Sequence, residues 1–412
     1  MEPIYALFLQ AMKAAMQDTA VDWGDEVGAE EILRLMEMAQ EHHVLPMLFE
    51  AVYATPGAQA LSPTEFAYFK RATVQSVTAQ TIKTQEFLEL YRHLRSKGLT
   101  PLVVKGLVCR NLYPKPDYRF SGDEDVLCGE SSFAACHAAL LIFGMTASSP
   151  DLDSYEVPYR KENSALYIEC HKTLFAKESD VFGDYNQLFV NAFDNAVELI
   201  IQDQTVYTLD YTDHMLYLIL HAFKHFLHSG FGIRQVSDIV LFANAYGQHV
   251  DWERVLDICR RYRTDRFAAA LFRIGEEYLV FSPQQACLPQ FWQDITVDEK
   301  PLLADLLYGG IYGSSELSRV HSSNMTLNAA AASRKGKKAK KHLLRTIFPS
   351  VGSLSGRYPY LRRMPFLLPI AWICRIFGYI RERFTEPNNA ASDVIRIGSR
   401  RIELLREYDI ID

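Results

Sequence analysis

Apolar residues recur at helical spacing through the first 95 positions of the chain. Over 30–54 they fall at Ile32, Leu33, Leu35, Met36 and Met38, then Val44, Leu45 and Leu48, with His42-His43 marking a break. Positions 67–97 read as one long amphipathic helix carrying Phe87, Leu88, Leu90 and Leu94 on its later apolar face. Gly98 ends it, as a residue able to take the left-handed conformation past a helix end.

The pattern then changes period. Short apolar or alternating runs at 99–105, 124–128, 154–160, 165–171, 196–201 and 205–209 predict strands, with helices over 106–113 and 131–143. From 211 the helical period returns at 213–228, 235–246, 252–262 and 266–279. Farther on, 324–341 reads as an exposed loop and 366–384 as helix-like. The expected class is therefore α+β, a small mixed-sheet core flanked by N-terminal and C-terminal helical segments. The expected division is 1–97 helical, 98–210 the α/β core, 211–300 a helical region packing on it, and 301–412 a C-terminal helical region with a basic loop near 334–341.

Composition narrows the function classes. With 412 residues, 49% hydrophobic, the chain has ample material for a large core. A formal net charge of -7 and a pI near 6.0 argue against a protein devoted to binding nucleic-acid backbone. Seven cysteines without CxxC spacing read as free thiols of a reducing compartment. The first residues lack the basic and apolar regions of a signal peptide. The apolar stretch 364–374 is shorter than the roughly 20 residues needed to span a bilayer. The expectation is a cytoplasmic protein with no transmembrane segment.

The candidate chemistry centres on Gly122-Asp123-Glu124-Asp125-Val126-Leu127. Alternate strand residues share a face, so Asp123 and Asp125 point the same way within reach of one cation. Such a pair repels unless a cation neutralises it, and Mg²⁺ suits a few carboxylates completed by water and phosphate oxygens. Glu169, in Tyr167-Ile168-Glu169-Cys170-His171, is the candidate third carboxylate on a neighbouring strand, and His171 shares its face. Asp-x-Asp pairs also recur by chance in turns and at solvated edges.

Taken together, several motifs resemble the uncharacterised nucleotidyltransferases of the polymerase-β-like superfamily. They are Leu102-Val103-Val104-Lys105-Gly106, Leu112-Tyr113-Pro114, Arg119, Asp123-x-Asp125, Ile168-Glu169-x-His171, Leu220-His221-Ala222-Phe223-Lys224-His225 and Ser237-Asp238-Ile239, with Glu41-His42-His43-Val44-Leu45-Pro46 upstream. The resemblance implies Asp123, Asp125 and Glu169 as catalytic metal ligands for Mg²⁺, with Mn²⁺ as a substitute. It implies that Lys105 and Gly106 form a turn approaching the nucleotide phosphates, and that Arg119 neutralises phosphate charge. The partner implied is an NTP, ATP first among them, and the reaction is transfer of its nucleoside monophosphate to a hydroxyl acceptor. Two departures stand out. The usual Gly-Ser turn is Gly106-Leu107 here, and the usual apolar residue between the aspartates is Glu124. A catalytically degenerate nucleotide-sensing or protein-interaction module is the alternative they raise.

Other clusters receive plainer readings. His221, Lys224, His225 and His228 share one helix face, expected to pack on the core with Lys224 or His225 reaching the nucleotide; a zinc site is the sharper alternative. Arg234 and Asp238 are expected to form an intrahelical ion pair. The run Arg334-Lys335-Gly336-Lys337-Lys338-Ala339-Lys340-Lys341 reads as a solvated loop. Nucleic acid or an anionic membrane is its alternative partner, and the aromatic tail likewise reads as core before it reads as a peripheral membrane contact.

Overall fold

The computed structural model describes residues 2–149, 151–177, 181, 183–228, 230–309, 317–334, 358–362, 364–374 and 391–412. Helices α1 (Pro3–Met16), α2 (Ala29–Glu41), α3 (Leu45–Val52) and α4 (Pro56–Gln59) precede the long α5 (Pro63–Ser96). The break expected at His42-His43 is real, with His43 at a positive φ of 52° between α2 and α3. Helix α5 starts earlier than its apolar face suggests. The Ser62 hydroxyl accepts from the Glu65 amide, while the Glu65 carboxylate accepts from the Ser62 amide, a reciprocal cap. Gly98, at φ +76°, follows the end of α5.

The core sheet has five strands in the order β1 (Leu102–Val103), β2 (Glu124–Leu127), β5 (Tyr167–His171), β4 (Glu156–Lys161) and β3 (Met145–Ala147). Only β2 and β5 run parallel; the other neighbours are antiparallel. Short α6 (Gly106–Arg110) follows β1, and α7 (Phe133–Ile142) lies between β2 and β3. A separate hairpin joins β6 (Val197–Ile201) to β7 (Gln204–Thr208), so the two strands expected there lie outside the five-stranded sheet. Strand β3 was not expected, since three edge residues carry too little alternation to register.

Helices α8 (Tyr211–Leu227), α9 (Ile233–Tyr246), α10 (Trp252–Arg261) and α11 (Asp265–Tyr278) follow the sheet, then α12 (Gln290–Gln293) and α13 (Lys300–Gly309). Asp210 opens α8 by accepting from the amides of Thr212 and Asp213. The fold is thus α+β, with a small mixed sheet and helical segments at both ends. One apolar cluster runs from Phe8 to Ile411.

One correction falls in the C-terminal region. Residues 324–334 belong to helix α14 (Leu317–Arg334) and are not a loop. It packs against the last helix, Ala391–Glu407, with Ala329, Ala330 and Ala332 buried and Met325 so close to Gly398 that a Cβ there would clash. The remainder of the basic run, 335–341, lies outside the described residues, as does the expected helix beyond 374.

Two buried histidines give the fold a pH dependence. His42 lies against Phe8 and donates from Nε2 to the Leu307 carbonyl at 3.2 Å, and burial pushes it down to about 4. His214 donates from Nδ1 to Thr208 Oγ1 at 3.1 Å, and burial pushes it down to about 3. Unfolded histidine takes up its proton near 6.5, whereas these take it up only well below, so acid favours the unfolded chain. Stability is expected to be full above pH 6.5 and to fall towards pH 4 for His42 and pH 3 for His214. The loss on acidification is about 3 kcal/mol for His42 and about 5 kcal/mol for His214. Urea midpoints across this range check it: His42→Gln keeps a donor but cannot charge, and must flatten the decline between pH 6.5 and 4. An unchanged slope in that variant rules the account out.

Candidate active site

The β2–β5 pairing builds the site. In this parallel ladder Asp125 lies in register with Glu169, and Leu127 with His171, so one sheet face carries all three polar side chains. His171 Nε2 stands 3.2 Å from Asp125 Oδ1 and 3.9 Å from Glu169 Oε2. From β4, opposite His171 in the ladder, Glu156 brings Oε2 to 3.8 Å from Nδ1. Lys105, at the end of the β1 segment, places its ammonium 3.2 Å from Asp125 Oδ2.

These charges set one another's protonation. Burial alone would raise Asp125, but Lys105 and His171 overcome it and hold the carboxyl well below its usual range. Burial would likewise lower Lys105 and His171, and the surrounding carboxylates hold both up. Glu169 has His171 only at the longer distance of 3.9 Å. Burial and the charges of Asp125, Asp123 and Glu156 push it up to about 7, with His171 opposing.

One ligand atom each from Asp125, Glu169 and His171 falls within 4.8 Å of the others, a cluster able to hold a metal ion. Two carboxylates and an imidazole fit a divalent cation with mixed oxygen and nitrogen preference, Mn²⁺ as well as Mg²⁺. Asp123 stands just ahead of β2, half-buried and outside that cluster, yet near enough for its charge to act on Lys105 and Glu169. His171 shares the cluster in its place, as the alternation along β5 allows.

Glu124 turns to the opposite face. There its Oε1 accepts from Arg110 Nη1 at 2.9 Å and from Ser121 Oγ at 3.0 Å, with Lys83 Nζ at 3.9 Å. Lys83, from α5, also donates to the Ser121 carbonyl at 2.9 Å. Burial would raise Glu124, and Arg110 and Lys83 more than offset it, so the carboxylate stays charged. The acidic residue between the aspartates therefore neither lies at an edge nor loads the site. It ties β2 to α5 and α6. Gly106 is required by the same packing, because a Cβ there would overlap the Glu124 carboxylate.

The remaining expected residues are placed as follows. Lys224, on α8, reaches Tyr155 Oη at 3.2 Å, and the Tyr155 ring lies 6.2 Å from that of His171. His221 and His225 bring their Nε2 atoms to 3.3 Å, and burial, reinforced by Lys105, lowers both. The α8 face thus packs on the sheet beside the carboxylates. Arg119 is buried and gives its Nε to Asp238 Oδ1 at 3.0 Å, which also accepts from Tyr113 Oη at 2.8 Å. Asp238 thereby pins α9 to the turn before β2, while Arg234 donates to the Phe120 carbonyl. Sequence reasoning did not find Glu156, Tyr155 or Lys83, because each meets the site only through tertiary pairing.

The mixed sheet thus presents two carboxylates in register on adjacent parallel strands, beside a lysine. The chain belongs to a family described as uncharacterised nucleotidyltransferase, whose model matches residues 28–279 and so covers the sheet, the site and α8–α11. No curated protein and no solved structure matches it.

Proposed function

We propose that the protein transfers a nucleoside monophosphate from an NTP, ATP first among them, to a hydroxyl acceptor, breaking the α–β phosphoanhydride bond and releasing pyrophosphate. The observation that carries this reading is the registered Asp125–Glu169 pair on parallel strands, within the three-residue cluster that fits a divalent cation. Asp123, Asp125 and Glu169 would hold Mg²⁺ or Mn²⁺, with His171 as an additional donor. When bound, the cation neutralises triphosphate charge and orients the α-phosphate for in-line attack. Lys105, beside Gly106 and 3.2 Å from Asp125, and Lys224, held against Tyr155, offer positive charge for the phosphates. Glu169, in register with Asp125, is the carboxylate assigned here to take the acceptor proton. Arg119, committed to Asp238, serves the nucleotide site by fixing the turn that leads to Asp123.

A second reading, a nucleotide-sensing module without turnover, draws on the Lys105 ammonium, which already neutralises Asp125 without a cation. Incubation with α-labelled NTPs and a metabolite extract, with Mg²⁺, Mn²⁺ or EDTA, separates the two. Metal-dependent label on an acceptor is expected. Metal-independent nucleotide binding with no label transferred selects the sensing module, and absence of both binding and transfer discards both.

A further inference from the structure

Glu156, the first residue of β4, lies directly across the ladder from His171. The imidazole has two nitrogens to account for. Nε2 looks into the cluster, 3.2 Å from Asp125 Oδ1 and 3.9 Å from Glu169 Oε2. Nδ1 is buried and makes no hydrogen bond among the described residues. The carboxylate facing it is Glu156, with Oε2 at 3.8 Å. The Glu156 side chain is 32% exposed and that of His171 only 5%, so the carboxylate has room to close the remaining gap of about 1 Å to hydrogen-bond length while the ring stays put. The backbone at this point is fixed, because the Tyr155 carbonyl accepts from the Lys172 amide at 2.8 Å. Tyr155 Oη accepts from Lys224 Nζ at 3.2 Å, which directs its own proton elsewhere, and the Glu156 carboxylate is within its reach.

A neutral imidazole carries one proton, and the nitrogen that ligates a metal must be the one without it. Which nitrogen that is depends on the acceptor each of them meets. Asp125 taken alone favours the proton on Nε2, where it would occupy the lone pair turned towards the cluster. An acceptor at the far side of the ring favours the proton on Nδ1 and leaves Nε2 open. We propose that Glu156 is a positioning residue, accepting from His171 Nδ1 so that the Nε2 lone pair is presented to a divalent cation held with Asp125 and Glu169. The proposal rests on reading those three side chains as a cation site, and not on which nucleotide or acceptor the protein uses.

Mn²⁺ is the probe, with affinity read by isothermal titration of the full chain and coordinated nitrogen read by electron spin-echo spectroscopy. The parent should show an imidazole nitrogen on Mn²⁺ that His171→Gln removes. Glu156→Leu should weaken Mn²⁺ binding about tenfold or more and lose the nitrogen signal. Glu156→Gln, whose carbonyl oxygen can still accept from Nδ1, should keep the signal and bind within about threefold of the parent. Added to His171→Gln, Glu156→Leu should cost nothing further. If Glu156→Leu does not fold, Glu156→Thr carries the test, being suited to a strand and too short to reach Nδ1. No nitrogen on Mn²⁺ in the parent overturns the proposal, as does a folded Glu156→Leu protein that binds Mn²⁺ like the parent. Equal losses in Glu156→Gln and Glu156→Leu also overturn it, since Glu156 would then act by charge alone, and so do losses that add in the double variant. Absent label transfer with the expected Mn²⁺ results intact discards nucleotidyl transfer and leaves the positioning role standing.

Discussion

Replacing Asp125 by Asn should lower kcat/KM for metal-dependent nucleotidyl transfer by about 10³-fold or more, with little change in fold. The substitution is nearly isosteric, so the site's shape survives. What disappears is the charge that Lys105 and His171 flank at 3.2 Å each, and with it one cation ligand. Isothermal titration of Mn²⁺ with and without NTP, run beside the labelling assay and a thermal melt, separates lost metal binding from lost folding. A folded Asp125→Asn protein that transfers label within threefold of the parent removes Asp125 from the mechanism.

The second large effect concerns stability. Arg110→Met strips Glu124 of its closest cation and leaves a fully buried carboxylate with Lys83 at 3.9 Å. Uncompensated buried charge of this kind costs about 3–5 kcal/mol. Replacing both partners, as Arg110→Met/Glu124→Leu, should recover part of that loss, since the apolar pair removes two buried charges but leaves the buried Lys83 without its carboxylate. Denaturant melts of the two single variants and the double variant measure the coupling directly. If the double variant is as unstable as the sum of the single ones, the pair is not acting as a unit.

Much of this arrangement was legible in the chain. Alternation along 123–127 and 167–171 is enough to put Asp125 on one face of its strand and Glu169 with His171 on one face of theirs, because the period of a strand is fixed by its backbone. The long helix ahead of the sheet and the break at His42-His43 announce themselves by periodicity and turn residues in the same way. What stayed hidden depends on meetings between distant segments. Glu124 reads as an anomaly until Arg110 and Lys83 arrive beside it from separate helices. Asp238 has a neighbour of opposite charge four residues away, yet Arg119 and Tyr113 reach it from more than a hundred residues upstream. Residues 324–334 lack the large apolar stripe by which a helix is usually recognised, since close packing against Ala391–Glu407 calls for small side chains there.

The buried Glu124–Arg110 pair has a consequence for how β2 finds its place. Val126 and Leu127 are both buried, one on each face of β2, so hydrophobicity gives this four-residue strand little reason to prefer one alignment over the next. A slip by a single residue would turn Glu124 into the cleft and press Asp125 against the helices, exchanging the two faces. The short side chain of Asp125 would then face the Arg110 guanidinium that Glu124 is long enough to meet, and the added methylene of Glu124 would crowd Lys105 and His171. Side-chain length, read out by fixed cations on each face, therefore acts as a ratchet on strand alignment, and it lets one run of like charges serve both a structural joint and the carboxylate cluster.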